Sequence, residues 1–536
     1  MAANITALAQ PNSTMFGFLE LLPLGQLFFH SGSVSAPAAE TAVDPSTAAG
    51  PIMPTISAIW LALFVLVFLF RYIRTVVSIY SWNTYKPKPI LAVPSYTSAD
   101  ITVVIPTTFK KPEELLECIL GILRCEPAQI IVVTAGPNVS RVRELFAVNS
   151  LGSTVKCIGV GKLNKREQIL KALPFVKTRF ITLADDDVFW PTEKYLDYVL
   201  AIFEDDAVGA GGTRQRVKRQ AGWWRFWNIL GISYLERRVW NNCATNAMDG
   251  SLSTLSGRTA TYRASILKDE DFVKYFRNDS WRGRPLNSDD DKCLTRYVYK
   301  HGWKIVLQFA EEATLETTVE NDSGYLHQCM RWARAHWRGN FTVMENEEYW
   351  TPWGKNGQWW GYYYIYLGSF QTPALIWDAG LLALLAFGLW GASSSTFWTA
   401  LRYLGYWIFF TKNMKMIPHF RRYPQDLVWV PLLVAFSYFH GALNLYAANT
   451  MTNTVWGGKD LQALEKARTG PDGAVALVKD ATHAAEKYRE PTPGKAPVGC
   501  EYFTDEEIAK GIGFEPEPEP EEVKQDSSSV QDSPSE

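Results

Sequence analysis

The stretch FITLADDDVFWP, residues 180–191, passes from a short apolar, aromatic and β-branched run straight into three carboxylates, Asp185, Asp186 and Asp187. Such a run reads as a buried strand. Ligands of α/β sheets bind beyond the carboxyl ends of the strands, so the three acids stand where chemistry is expected. Alternate carboxylates there, Asp185 and Asp187, suit a divalent cation, which in turn binds a diphosphate. A charged turn or a helix N-terminus also uses Asp. Three adjacent carboxylates nevertheless repel one another and ask for a cation.

Working outward, ITVVIP (101–106), QIIVVT (129–134), TVKCIGV (154–160), RFITLA (179–184) and WKIVLQ (303–308) have the same buried-strand character. PEELLECILGIL (112–123), KREQILKAL (165–173) and TEKYLDYVLAIF (192–203) have the period of amphipathic helices. Strands alternating with helices predict an α/β domain with a largely parallel sheet covered on both faces, here over residues 81–345.

The flanks differ from this domain. No charge occurs from Pro45 to Phe70, and Arg71, Arg74, Lys86 and Lys88 follow. Residues 56–80 are therefore expected to form a transmembrane helix, and the basic residues on its C-terminal side alone put the domain in the cytosol. Residues 1–55 are expected to be flexible; the apolar piece at 15–29 contains Glu20 and Pro23, and Asn4 and Asn12 lie in glycosylation sequons. Apolar runs near 372–390, 397–410 and 427–448 predict interfacial and transmembrane helices within 346–456, with Lys412, Lys415, Arg421 and Arg422 on the cytosolic side. Residues 457–536 are polar and acidic and are expected to form a disordered tail. The 21 Trp residues gather beside the apolar runs, an interfacial pattern, so a lipid bilayer is one expected partner. A net charge of -2 gives no basic field for nucleic acid, and no feature fixes an oligomeric state. Seven scattered cysteines indicate reduced thiols and neither a disulfide framework nor a zinc site.

Five further segments carry candidate chemistry. NSDDDKCLTRYVYKHGW (287–303) sets Asp289, Asp290 and Asp291 at a helix start, where carboxylates are stabilised. If they converge with the first cluster, metal binding and general base catalysis divide between the two. STLSGRTATYR (253–263) combines a short strand with Gly257, which allows close backbone approach, and Arg258. KLNKREQI (162–169) begins a helix with Lys162, Lys165 and Arg166, cations that a helix N-terminus disfavours unless an anion is near. AGWWRFWNILGISYLERRVW (221–240) suits either a membrane face or a buried helix. In HQCMRWARAHW (327–337), Gln328, Arg331 and Trp332 share one helix face.

Taken in order, these segments resemble the processive family 2 glycosyltransferases, membrane polysaccharide synthases such as those of hyaluronan, chitin and cellulose, fungal types included. The resemblance covers about residues 102–459 and implies an α/β fold: a cytosolic GT-A domain, Rossmann-like with a mixed, mostly parallel sheet, joined to α-helical transmembrane and interfacial helices. Asp185 and Asp187 match the DxD motif, which holds Mg2+ or Mn2+ on the nucleotide diphosphate. DDKCLT (290–295) is similar to the GDDRxLT element of hyaluronan synthases, which makes Asp291, beside Asp290, the catalytic base. SGRTATYR is similar to SGxxxxYR and assigns Gly257 and Arg258 to the acceptor site. QCMRW matches QxxRW, which gives Gln328 and Trp332 to the acceptor and Arg331 to the diphosphate. NKREQI resembles a basic GKREA-type segment that places Lys165 on the nucleotide, and Thr107, in IPTTFKKPEE where the family has PxYNE, joins it. VVTAGPN carries Thr134 and Ala135 where the family has an acidic pair for the base.

NTVWGGKD resembles the cytosolic WGTR stretch, with Gly458 and Lys459 in place of Thr and Arg; three full C-terminal spans would leave it outside, so one run should be interfacial, re-entrant or divided. Asp378, inside an apolar run, is expected to face a pore. The implied activity is a plasma-membrane, metal-dependent, inverting hexosyltransferase that moves sugar from a UDP-sugar to a growing polysaccharide and exports it. Single addition to a lipid acceptor is the alternative, and an inactive membrane scaffold a third reading.

Overall fold

The computed structural model describes residues 52–161, 164–222, 225–286, 288–347, 350 and 357–454. Asn4, Asn12, Lys162, Trp223, Trp224, the segment around Gly458 and the acidic tail lie outside the described residues. Twelve strands are described: β1 Ile101–Pro106, β2 Gln129–Ala135, β3 Val155–Val160, β4 Phe180–Ala184, β5 Val188–Phe189, β6 Val208–Thr213, β7 Gln215–Val217, β8 Thr259–Arg263, β9 Ser280–Trp281, β10 Arg284–Pro285, β11 Lys304–Gln308 and β12 Leu315–Thr317.

Seven of them form one sheet in the order β11-β6-β8-β4-β1-β2-β3. All neighbours are parallel except at β8, which runs antiparallel to both β4 and β6. The alternation of side chains explains why every residue of β1 is buried: Val104 enters the core on one face while Val103 and Ile105 enter the core on the other. In β6, VGAGGT, glycine replaces the usual β-branched residues because a Cβ on Gly211 would lie 1.9 Å from Ile202 Cδ1. A small sheet, β5-β12-β7, caps the edge where β4 ends.

The helix Phe226–Asp249 is buried along Ile229, Leu230, Ile232, Leu235 and Val239, so it belongs to the domain interior and not to a membrane face. Trp82 of the helix Ile52–Thr84 stacks on its Trp240 at 4.8 Å and ties the two together. Two helices among the described residues are long and apolar enough to cross a membrane, Ile56–Thr84 and Pro424–Asn449. Three C-terminal runs were candidates on sequence. The first, however, forms Ala374–Gly388, whose 15 residues reach only ~22 Å against a hydrocarbon core of ~30 Å. The helix Ser394–Asn413 interrupts its apolar surface with Arg402 and Lys412.

Asp378 departs from its expected pore-facing position. It is buried between helices and pairs with Arg71 at 2.7 Å and Lys412 at 2.9 Å. An ionisable group at such depth needs a partner of opposite charge, and two are supplied here. The six described cysteines are all buried free thiols, and Cys500 lies outside the described residues.

Candidate active site

The reversed direction of β8 builds the site. Ala184, the last residue of β4, is opposite Thr259, the first of β8. The turn before β8 therefore lies at the same sheet edge as the ends of the parallel strands. The Asp185 amide donates to the Arg258 carbonyl at 2.9 Å, which fixes the acidic turn against Gly257 and Arg258.

Lys165 joins the two acidic clusters. It opens the helix Lys165–Ala172, whose N-terminus is capped by Asn164, with Oδ1 accepting from the Arg166 amide at 2.9 Å. Its Nζ lies 2.7 Å from Asp185 Oδ1 and 3.2 Å from Asp290 Oδ2. These are the anions that a cation at a helix start requires. A Cβ on Gly257 would lie 3.3 Å from Lys165 Nζ and 3.4 Å from Asp291 Cβ, so the glycine leaves room for this convergence.

Asp290 and Asp291 begin the helix Asp290–Lys300. Asp289 differs from them: it adopts φ 64° and is held by both arms of Arg338, at 2.8 and 3.1 Å. Its role is to fix the turn, since a non-glycine residue in the left-handed region persists only when its surroundings hold it. Thr295 Oγ1 donates to the Asp291 carbonyl at 2.7 Å and accepts from the Leu255 amide at 2.9 Å, which locks the helix start to the β8 side.

Thr107, just beyond β1, donates through Oγ1 to Asp186, and its carbonyl accepts from Gln168 Nε2 at 2.9 Å. From the helix Gly324–Asn346, Trp332 stacks on Tyr234 with ring centroids 4.9 Å apart. The Arg258 guanidinium stands 5.3 Å from the same ring, while its Nε donates to Thr317 Oγ1 at 3.2 Å. Among the described residues the buried Gln328 amide oxygen has no hydrogen-bond partner. Thr107, Lys165, Asp185, Asp187, Gly257, Arg258, Asp290, Asp291, Gln328, Arg331 and Trp332 all line a single cleft of about 710 Å³.

The electrostatics separate the carboxylates. Burial would raise Asp290, but Lys165 and Arg166 outweigh it and hold its carboxyl below the usual range. Asp291 is raised by burial and then by Asp290. The neighbouring Lys292 does not pair with it; burial pulls its ammonium down to about 8, and its Nζ donates to Thr254 Oγ1 at 2.7 Å. Asp290 is thus the charge partner of Lys165, and Asp291 the more basic member. Asp187 is pushed up to about 7 by burial and then by Asp185. Its carboxylate accepts from Thr318 Oγ1 at 3.3 Å, and among the described residues no ion pair reaches it.

No group of three or more His, Cys, Asp or Glu side chains suited to a metal occurs among the described residues. The oxygen donors of Asp185 and Asp187 nonetheless fit a hard divalent cation of the kind bound by one or two carboxylates plus substrate phosphates. Asp187, partly buried, without an ion pair among the described residues and repelled by Asp185, is the observation that favours one.

Tyr234, Arg237 and Arg238 also line the cleft and were not singled out on sequence. Their signal was present in SYLERR, where spacings of three and four put them on one side of a helix. His336 and Lys292 also line it, but from sequence alone they are ordinary helix residues.

The family model "Glycosyltransferase like family 2" matches residues 99–335, from just before β1 to the helix of Trp332. A type 2 glycosyltransferase of Gibberella zeae is 40% identical over 452 residues, 81% of this chain and 84% of that one. The NDP-glycosyltransferase ltbB of Aspergillus luteorubrus is 26% identical over 406 residues, 72% of this chain and 93% of that one. A hyaluronan synthase of Streptococcus pyogenes is 25% identical over 254 residues, covering 44% of this chain and 57% of its own. Identity at the level of the Gibberella protein, sustained over four-fifths of both chains, spans the whole acidic edge and the helix beside it; the chain belongs to glycosyltransferase family 2, the nucleotide-sugar-dependent transferases.

Proposed function

We propose that the protein is a membrane-embedded, inverting glycosyltransferase that extends a polysaccharide from a UDP-sugar and exports it, with its catalytic domain on the cytosolic side of the plasma membrane. The observation that carries the reading is the Lys165 bridge, which brings the donor-side Asp185 and the acceptor-side Asp290 to one ammonium. Asp291 takes the proton of the acceptor hydroxyl, since, unlike Asp290, it has no ion-pair partner among the described residues and burial makes it more basic. The freed oxygen attacks the anomeric carbon, and the bond from that carbon to the diphosphate breaks on the opposite side. Arg331 and Lys165 take up the charge of the leaving diphosphate. Asp185 and Asp187 would hold Mg2+ or Mn2+, which when bound neutralises that same diphosphate.

Gln328, Trp332, Gly257 and Arg258 form the acceptor side. An aromatic wall made by Trp332 and Tyr234 suits the apolar face of a sugar without demanding one register, which favours repeated addition. Export is supported by the cleft itself, which is lined also by Arg71 of the helix Ile52–Thr84 and Asn444 of the helix Val430–Asn449.

The test is incubation of membranes containing the protein with labelled UDP-N-acetylglucosamine, UDP-glucose and UDP-glucuronate in Mn2+, followed by digestion with linkage-specific hydrolases. A long, hydrolase-sensitive product is expected. A product one sugar long on a lipid would replace polymerisation with single addition, and no transfer from any nucleotide sugar would overturn the activity.

A further inference from the structure

The cleft also carries cations that belong to neither acidic cluster: Arg71, Arg74, Arg237, Lys412 and Lys415. Among the described residues one carboxylate pairs with any of them, Asp378, shared between Arg71 and Lys412. Among the described residues no ion pair reaches Arg74, Arg237 or Lys415; Lys415 donates to Asn241 Oδ1 at 2.8 Å. Cations gathered in one recess repel each other, and an entering anion relieves that repulsion. These cations come from the helix Ile52–Thr84, the helix Phe226–Asp249 and residues 412–415, whereas the acidic clusters follow β4 and open the helix Asp290–Lys300, so this is a separate charge field in the same cavity.

The company these cations keep narrows the anion. Arg237 lies over the Tyr234 ring at 5.3 Å and Arg74 over the Tyr364 ring at 5.6 Å. Tyr234 is the ring that stacks on Trp332, so the alternation of ring and guanidinium begins at the transfer site and leads away from it. Rings suit the C–H face of a sugar, and a guanidinium fork suits a carboxylate. A phosphate on a lipid would call for the cations but not for the rings.

We propose that this part of the cleft is a glycan subsite that holds a carboxylate-bearing sugar unit of the acceptor chain, behind the unit at Trp332. The subsite rests on the glycosyltransfer reading for its direction, although binding can be measured without transfer. The probes are a tetrasaccharide of glucuronate and its carboxyl-reduced, neutral counterpart, titrated onto the full chain in phosphatidylcholine nanodiscs. The acidic probe is expected to bind at least tenfold more tightly, about 1.4 kcal/mol. The double variant Arg74→Gln, Arg237→Gln is expected to lose that preference while keeping the wild-type affinity for UDP in Mn2+, which also reports that it has folded.

Equal binding of the two probes by the wild-type protein would overturn the proposal whatever the variant does, as would a preference that survives in a folded variant. If nanodiscs containing phosphatidic acid displace the acidic probe, the cations serve a lipid headgroup and the glycan assignment falls. A wild-type protein that separates the probes but binds no UDP would keep the subsite and remove the glycosyltransfer reading instead.

Discussion

Replacing Asp291 by Asn removes a negative charge and little volume. The local scaffold does not depend on that charge: the Lys292 amide contact to Asp291 Oδ1, at 2.9 Å, can be made by an amide oxygen, and the Thr295 bond goes to the backbone carbonyl. The Lys165 bridge engages Asp185 and Asp290, so donor binding has no direct need of Asp291. General base catalysis contributes ~10²–10⁴ in rate, equivalent to about 3–5 kcal/mol of barrier. Turnover should therefore fall by at least about a hundredfold while UDP affinity in Mn2+ changes less than about threefold. Because Asp291 is raised above the ordinary carboxylate range by burial and by Asp290, the wild-type rate should climb with pH through a limb displaced upward from ~4, and the variant should lack that limb. Initial rates of UDP release from pH 4 to 8, with calorimetric titration of UDP, measure both. Equal losses of affinity and turnover, or an unchanged acid limb, would refute Asp291 as the base.

Asp187→Ala should abolish the Mn2+-dependent part of UDP affinity, at least tenfold, and leave metal-free binding as it is; titrations with Mn2+ and with a chelator compare the two. Lys292, with its ammonium lowered to about 8, binds fewer protons in the folded than in the unfolded chain between pH 8 and ~10.4. Stability should therefore rise with pH across that window. Lys292→Met should remove this rise, worth at most about 3 kcal/mol, as followed by thermal unfolding in detergent at pH 7.5, 9 and 10. Asp378→Ala leaves Arg71 and Lys412 buried without their counter-charge; it should cost about 3–5 kcal/mol and lower the unfolding temperature, while Arg71→Met in the same background should recover part of the loss.

Much of the parallel half of the sheet could be read directly. ITVVIP is β1 and PEELLECILGIL is the helix Pro112–Leu123, because buried strands and amphipathic helices have composition and period of their own. The strand β6 was invisible because its glycines answer to the approach of Ile202, a contact between distant residues that local propensity does not encode. The C-terminal runs could be located but not sorted by length: Pro373 and the turn at Gly391 bound the first of them to the helix Ala374–Gly388. At the site, the motif residues were legible as candidates, yet the triplet at Asp289, Asp290 and Asp291 could not be divided. Only the contacts show that Arg338 holds the first, Lys165 neutralises the second and the third is left basic. The polar stripe of Tyr234, Arg237 and Arg238 was hidden by the apolar majority of its helix.

The reversed strand β8 also has a genetic consequence. Because it returns the chain to the catalytic edge, Thr107, Lys165, Asp185 and Asp187 of the donor side are encoded before residue 188 and the acceptor side after residue 225, beginning with Tyr234 of the helix Phe226–Asp249; Arg331 is the donor contact carried by the second block. Under the proposed roles the two specificities are inherited as separate blocks. A crossover between related genes near residues 218–222, in the loop that precedes that helix, would exchange one block without cutting a strand. Chimaeras joined there are a direct way to pair one relative's donor choice with another's acceptor.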